Sequence, residues 1–110
     1  MAYENALAEL SQVIASRKSH PEEGSYTCYL FEKGLDKILK KCGEENAEMI
    51  IAAKNHNSEE LANEICDLFY HILVLMEQEE LPLERVLEIL DQRSKKIGNL
   101  KQFHQVDRNT

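Results

Sequence analysis

"KKCGEENAEMIIAAK", residues 40–54, decides how the chain is read. Glu44, Glu45 and Glu48 stand directly before Met49, Ile50, Ile51, Ala52 and Ala53, an unbroken apolar run. A helix that is apolar all round is normally buried. Like charges one turn from a buried segment are penalised by desolvation and by mutual repulsion. Carboxylates kept there imply a partner that offsets both.

The stretch belongs to a helix predicted over 35–54, with Leu35, Ile38, Leu39, Cys42, Met49, Ile50 and Ala53 on one face. Upstream, "SHPEEGSYT" (19–27) holds Pro21 and Gly24 and interrupts an amphipathic helix predicted over 3–17; a short apolar "CYLF" then leads to Gly34. Downstream, Asn55-His56-Asn57-Ser58 is a break, with Ser58 predicted as the N-cap and Glu59 and Glu60 as favourable first-turn acids. Leu61 occupies the position where a full capping box needs Glu or Gln. A third helix, 59–78, carries "DLFYHILVLM", apolar nearly all round. Pro82 opens a fourth, which Gly98 ends.

No run alternates with period two, so the fold class is all-α. The architecture expected is a bundle of about four helices around a central antiparallel helix hairpin, completed by dimerisation. The third helix carries more apolar surface than one face can bury in a monomer of 110 residues, and symmetric dimers are the commonest solution. Residues 1–98 read as one domain and 99–110 as a polar, basic C-terminal tail.

The charge is uneven. Residues 1–92 carry 8 basic and 19 acidic groups, and residues 93–110 carry 5 basic and 1 acidic, which sum to the net −7. That balance argues against a nucleic-acid binder. Cys28, Cys42 and Cys66 lack metal-ligand spacing and read as free thiols, small buried hydrophobes of a reducing compartment. No signal peptide and no membrane span is read, so the expected location is the cytoplasm, without membrane contact.

The short link around His56 makes the second and third helices antiparallel neighbours. Glu48 lies eight residues before His56 and Glu64 eight after; Glu45 lies eleven before and Asp67 eleven after. At about 1.5 Å per residue each pair is level along the hairpin. Glu45 and Glu48 share one helix face, and Glu64 and Asp67 share another. Four level carboxylates need a cation, and an all-oxygen set suits Mg²⁺, with Mn²⁺ able to replace it. Zinc is disfavoured because no His or Cys joins at ligand spacing. A di-iron site is disfavoured because none of the four histidines has Glu three residues before it. Lys37 and Lys41 are either helical ion-pair partners of these acids or phosphate ligands. Metal plus lysines points to phosphate chemistry.

The pattern Glu44-Glu45-x-x-Glu48 followed by Glu64-x-x-Asp67 resembles the signature of the all-α nucleotide pyrophosphohydrolases, the MazG-like and dimeric dUTPase group. The stretch from "GSYTCYLFEKGLDKILKKCGEE" to "ELANEICDLFYHILVLM" is similar to the phosphoribosyl-ATP pyrophosphohydrolase family of histidine biosynthesis. The resemblance implies Mg²⁺-dependent hydrolysis of the α–β phosphoanhydride of phosphoribosyl-ATP, giving phosphoribosyl-AMP and pyrophosphate. It implies Glu45, Glu48, Glu64 and Asp67 as metal ligands, with Glu44 as a further ligand or as orienter of the attacking water. Lys37, Lys41, Ser25, Tyr26 and Thr27 would be substrate contacts in a homodimer. His71 matches the family's D-L-x-Y-H and reads as a hydrogen-bonded core histidine. Many members end in a motif resembling R-x-x-x-S-G-x-E-E-K-x-x-R. Here "RSKKIGNLKQFHQVDR" lacks the acidic pair, leaving Arg93, Asn99 and Lys101 as its candidate contacts. The cyclohydrolase domain fused to some relatives is not read in this sequence, so that next step is expected from elsewhere.

Two other readings compete. A sister enzyme clearing non-standard or deoxynucleoside triphosphates would use the same acids, and the "SYT" segment separates the two. A helical dimerisation module would explain the apolar faces but not the level carboxylates.

Overall fold

The computed structural model describes residues 2–99. Five helices follow one another: α1 (Ala6–Ser19), α2 (Tyr26–Lys33), α3 (Leu35–Lys54), α4 (Ser58–Gln78) and α5 (Leu83–Asn99). No strand occurs among the described residues. The chain is all-α, as its periodicity predicts, with α3 and α4 packed along their length as the central hairpin.

The additional helix is α2, where the sequence suggests only a short apolar connector. Its eight residues are too few for a periodic signal, and its start is fixed by a cap: Ser25 Oγ accepts the Cys28 N–H at 3.2 Å. Gly34 then ends α2 and begins α3 with no loop between, at φ 92° and ψ −170°, a region essentially restricted to glycine. A Cβ at Gly34 would meet nothing within 4 Å. Gly34→Ala is therefore expected to cost about 1–3 kcal/mol purely as backbone strain, read by thermal denaturation.

Both hairpin helices end alike. Asn57 N–H donates to Ala52 O and His56 N–H to Ala53 O; Leu81 N–H donates to Met76 O and Glu80 N–H to Glu77 O. These are Schellman closures, with His56 (φ 54°) and Glu80 (φ 56°) in the left-handed position that glycine usually takes. The N-cap of α4 is Asn57 rather than Ser58. Its Oδ1 accepts the Glu60 N–H at 3.0 Å, and Glu60 Oε2 accepts in return from the Asn57 side-chain Nδ2–H at 3.4 Å. Shifting the cap by one residue places Glu60 where a capping box needs an acid, but it bonds the Asn57 side chain; the Asn57 backbone N–H donates to Ala52 O, so the full capping box is absent here too.

The core is Ile14, Leu30, Ile38, Leu73, Val74, Met76 and Leu83, drawn from all five helices. Ile38 and Val74 lie equally far from His56, so they meet at the end of the hairpin away from the link. Each is fully buried, worth about 1.5–3 kcal/mol. This end is the rigid base, and the carboxylates lie between it and the link.

The apolar face predicted for α3 is divided. Ile38, Glu45 and Ala52, seven apart, are buried, while Leu39 stays exposed and Ile50 and Ile51 keep 50% and 58% of their surface. On α4, Phe69 and Ile72 remain uncovered. No cysteine is fully buried: Cys28 and Cys42 are half-buried, and Cys66 is exposed. Helix α5 touches the core through Leu83 and Val86 but leaves Leu87 and Leu90 exposed. It also continues through Gly98, where the sequence predicts its end. Of the predicted tail, residues 100–110 lie outside the described residues, Lys101 among them.

Candidate metal centre

Helices α3 and α4 bring Glu45, Glu48 and Glu64 to one point: a carboxylate oxygen from each lies within 4.8 Å of the other two. Periodicity does this. Glu45 and Glu48, three apart, share a face, and Glu64 meets Glu48 from the same distance beyond the turn. Glu45 is buried, Glu64 half-buried and Glu48 exposed, so the cluster opens to solvent on one side. Asp67 stands outside the tight group, although its charge still acts on Glu45 and Glu64.

The electrostatics record the crowding. The Glu64 carboxyl is pushed up to about 7, first by the Glu48 carboxyl within hydrogen-bond reach, then by desolvation and the charges of Glu48, Asp67 and Glu45. Glu45 is also raised, chiefly by burial and next by the charge of Glu48. A hydrogen bond between two carboxyl groups needs a proton on one of them, because ionised carboxylates only accept. Glu45 Oε2 and Glu64 Oε2 are buried with no hydrogen-bond partner among the described residues. Such acceptors are satisfied by a proton, an ordered water or a cation. An all-oxygen set with an open side fits a hard divalent ion.

Lys41 bridges the cluster to solvent. Its Nζ lies 3.2 Å from Glu44 Oε1 and 3.7 Å from Glu45 Oε1. The bond to Glu44 raises the lysine and holds the Glu44 carboxyl below its ordinary range. Glu44 therefore pairs with Lys41 and is not among the three clustered acids. Lys37 instead lies 5.9 Å from the centre of the Tyr29 ring, in cation–π range.

The "SYT" segment divides its work. Ser25 caps α2, and the Thr27 hydroxyl bonds the Tyr70 hydroxyl. Tyr26 alone reaches the edge of the cluster, where the charges of Lys41 and Glu45 act on its phenol. Its hydroxyl lies 3.0 Å from Nε2 of His71. His71 is buried with both ring nitrogens bonded, as expected of a core histidine. The link to Tyr26 is the feature that sequence reasoning misses, since no spacing rule joins residues 45 apart. Arg93 lies on the exposed surface of α5.

Fold and cluster together define a class: an all-α protein with a carboxylate cluster on a helix hairpin as its candidate site. Residues 7–94 match the family model described as phosphoribosyl-ATP pyrophosphohydrolase, and the chain belongs to that family. It is 57% identical over 97 residues to the phosphoribosyl-ATP pyrophosphatase of Clostridium botulinum (strain Kyoto / Type A2), covering 88% of each chain. It is 56% identical over 92 residues to the protein of the same name from Listeria innocua, covering 84% of this chain and 88% of the relative. The histidine biosynthesis bifunctional protein HisIE of Halalkalibacterium halodurans is 54% identical over 87 residues, 79% of this chain and 41% of that longer protein.

Proposed function

We infer that this chain hydrolyses phosphoribosyl-ATP to phosphoribosyl-AMP and pyrophosphate, the second step of histidine biosynthesis. Water adds to phosphorus, the α–β P–O–P bond breaks, and pyrophosphate departs. The observation that carries the site assignment is the pair of orphaned, buried oxygens on Glu45 and Glu64 beside Glu48. These three acids are the proposed ligands of Mg²⁺, with Mn²⁺ as its substitute, and Asp67 completes the set from the adjacent turn. A bound divalent ion supplies neutralisation of phosphate charge and a more acidic water.

The chain's own residues do the rest. Lys41, already held at the cluster edge, meets the phosphates, and Glu44 keeps it there or orients the attacking water. Lys37, Ser25, Tyr26 and Thr27 line the approach from α2. Pyrophosphate release with Mg²⁺ from phosphoribosyl-ATP, dCTP, dUTP and ATP, assayed side by side, tests this. Preference for phosphoribosyl-ATP supports the reading; preference for a deoxynucleotide assigns the chain to the house-cleaning branch.

The working unit proposed is a homodimer in the cytoplasm, with residues 1–98 as its domain and a basic tail beyond. No helix among the described residues is long and apolar enough to cross a membrane, and the net charge of −7 repels nucleic acid. An apolar groove of about 170 Å³ between α4 and α5, lined by Phe69, Ile72, Leu87 and Leu90, continues the exposed apolar surface. A second copy covers it. Sedimentation at micromolar concentration should give a dimer; an active monomer would contradict it.

A further inference from the structure

Beside α2 lies a cavity of about 490 Å³ to which the function proposed above assigns no task. Its aromatic wall is Tyr26 and Tyr29, whose rings lie within 24° of parallel with centroids 6.0 Å apart. Its polar wall is Glu22, Glu23 and Glu32, with Ser25 at the start of the helix. The volume falls within the roughly 300–1,000 Å³ of small-molecule sites.

Charge is sorted around these rings. Arg17 pairs with Glu22 at 3.0 Å, whereas Glu23 and Glu32 have no ion pair among the described residues. Lys33 and Lys37 approach the Tyr29 ring at 5.7 and 5.9 Å, but neither lines the cavity. Tyr29 therefore borders a basic surface and an acid-lined hollow. Phosphates suit the first. The second repels them and suits a flat cation.

The substrate proposed above carries such a cation. In phosphoribosyl-ATP the second ribose is attached at N1 of the adenine. An N1-substituted adenine, unlike the adenine of ATP, holds a proton at neutral pH and spreads the positive charge over its ring. The cavity is also placed for that ring. Tyr26 lines it, and the Tyr26 hydroxyl lies 3.0 Å from Nε2 of His71, whose Nδ1 is 2.8 Å from the Asp67 carbonyl oxygen. One tyrosine thus separates the cavity from the stretch of α4 that bears the acids. A nucleotide with its α-phosphate at those acids has its purine one ribose further on.

We propose that this cavity takes the cationic purine of phosphoribosyl-ATP: Tyr29 stacks on the base, and Glu23 and Glu32 face its charge, which selects N1-substituted adenine over the neutral base of ATP. The proposal rests on the reading of phosphoribosyl-ATP as substrate. A merely solvated acidic surface would not distinguish the two bases.

Two isomers test it without hydrolysis. The base of 1-methyladenosine 5′-monophosphate is cationic at neutral pH, and that of N6-methyladenosine 5′-monophosphate is neutral. Titration calorimetry with Mg²⁺ should show the cationic isomer bound about tenfold tighter, the combined worth of a cation–π contact and an exposed ion pair. Glu23→Gln/Glu32→Gln should abolish the preference, and Tyr29→Leu should weaken binding of the cationic isomer. Both glutamates are exposed, so their isosteric replacement leaves the packing intact. In turnover the double variant should raise KM for phosphoribosyl-ATP by a similar factor at nearly unchanged kcat, since the purine takes no part in the bond that breaks. Equal affinity for the two isomers, or a preference that survives the double variant, would overturn the proposal. Should the wild-type chain fail to cleave phosphoribosyl-ATP, the proposed function falls, and the isomer comparison still decides whether the cavity selects a cationic base.

Discussion

Glu48→Gln is expected to lower pyrophosphate release by more than about a hundredfold. Residues that merely support metal ligands already cost about 10–100-fold when changed, and Glu48 is proposed as a ligand itself. The same substitution should make the metal-free protein more stable. Glu48 is the acid whose carboxyl lies within hydrogen-bond reach of both Glu45 and Glu64 and whose charge raises both. Neutralising it removes that repulsion. An exposed substitution away from such a feature changes stability by no more than about 0.5 kcal/mol, so a larger gain marks released strain rather than noise. Thermal melts with chelator and with Mg²⁺ check both halves: Mg²⁺ should lift the wild type by mass action and the variant little. A variant less stable than wild type without metal, with Mg²⁺ helping both equally, would make Glu48 an ordinary structural residue. This is an exchange of stability for function.

The second large effect is the pH dependence of the metal-free wild type. Glu64 is raised from an ordinary 4.5 to about 7, and Glu45 is raised as well. A carboxyl with a raised folded-state pKa binds its proton more tightly in the native than in the unfolded state. Its stabilising contribution is complete below about 4.5 and is lost as pH rises through about 7. Glu44 acts in the opposite sense, because Lys41 lowers it, but it titrates below that window. Denaturant unfolding with chelator at about pH 5 and about pH 8 should therefore give lower stability at the higher pH, and Mg²⁺ should close the gap. Stability rising between those two pH values would contradict the crowded cluster.

Much of this arrangement is legible in the sequence, and the reasons are local. The limits of α3 follow from its apolar period and from Gly34. The level placement of Glu48 with Glu64 follows from equal distances to His56 and a fixed helical rise. What escapes has no period. Helix α2 is two turns long and rests on a serine cap. The cap of α4 moves to Asn57 because the Schellman closure of α3 ends on that residue. Ile50 and Ile51 look buried by composition, yet an all-apolar run cannot say whether its own chain or a second copy covers it. The Tyr26–His71 bond joins distant segments through packing alone. Asp67 is level with Glu45 by spacing but falls outside the tight group, since level placement fixes height along the hairpin and not the direction of a side chain.

The central claim is that Glu45, Glu48 and Glu64 hold a divalent ion, and anomalous diffraction from crystals grown with Mn²⁺ tests it most directly. The account predicts a strong peak among these three carboxylates, with metal–oxygen distances slightly longer than the roughly 2.0–2.1 Å of Mg²⁺ sites, and loss of that peak in Glu48→Gln. A Mn²⁺ peak elsewhere, with the three acids bridged to one another by protons or drawn onto Lys41, would contradict it.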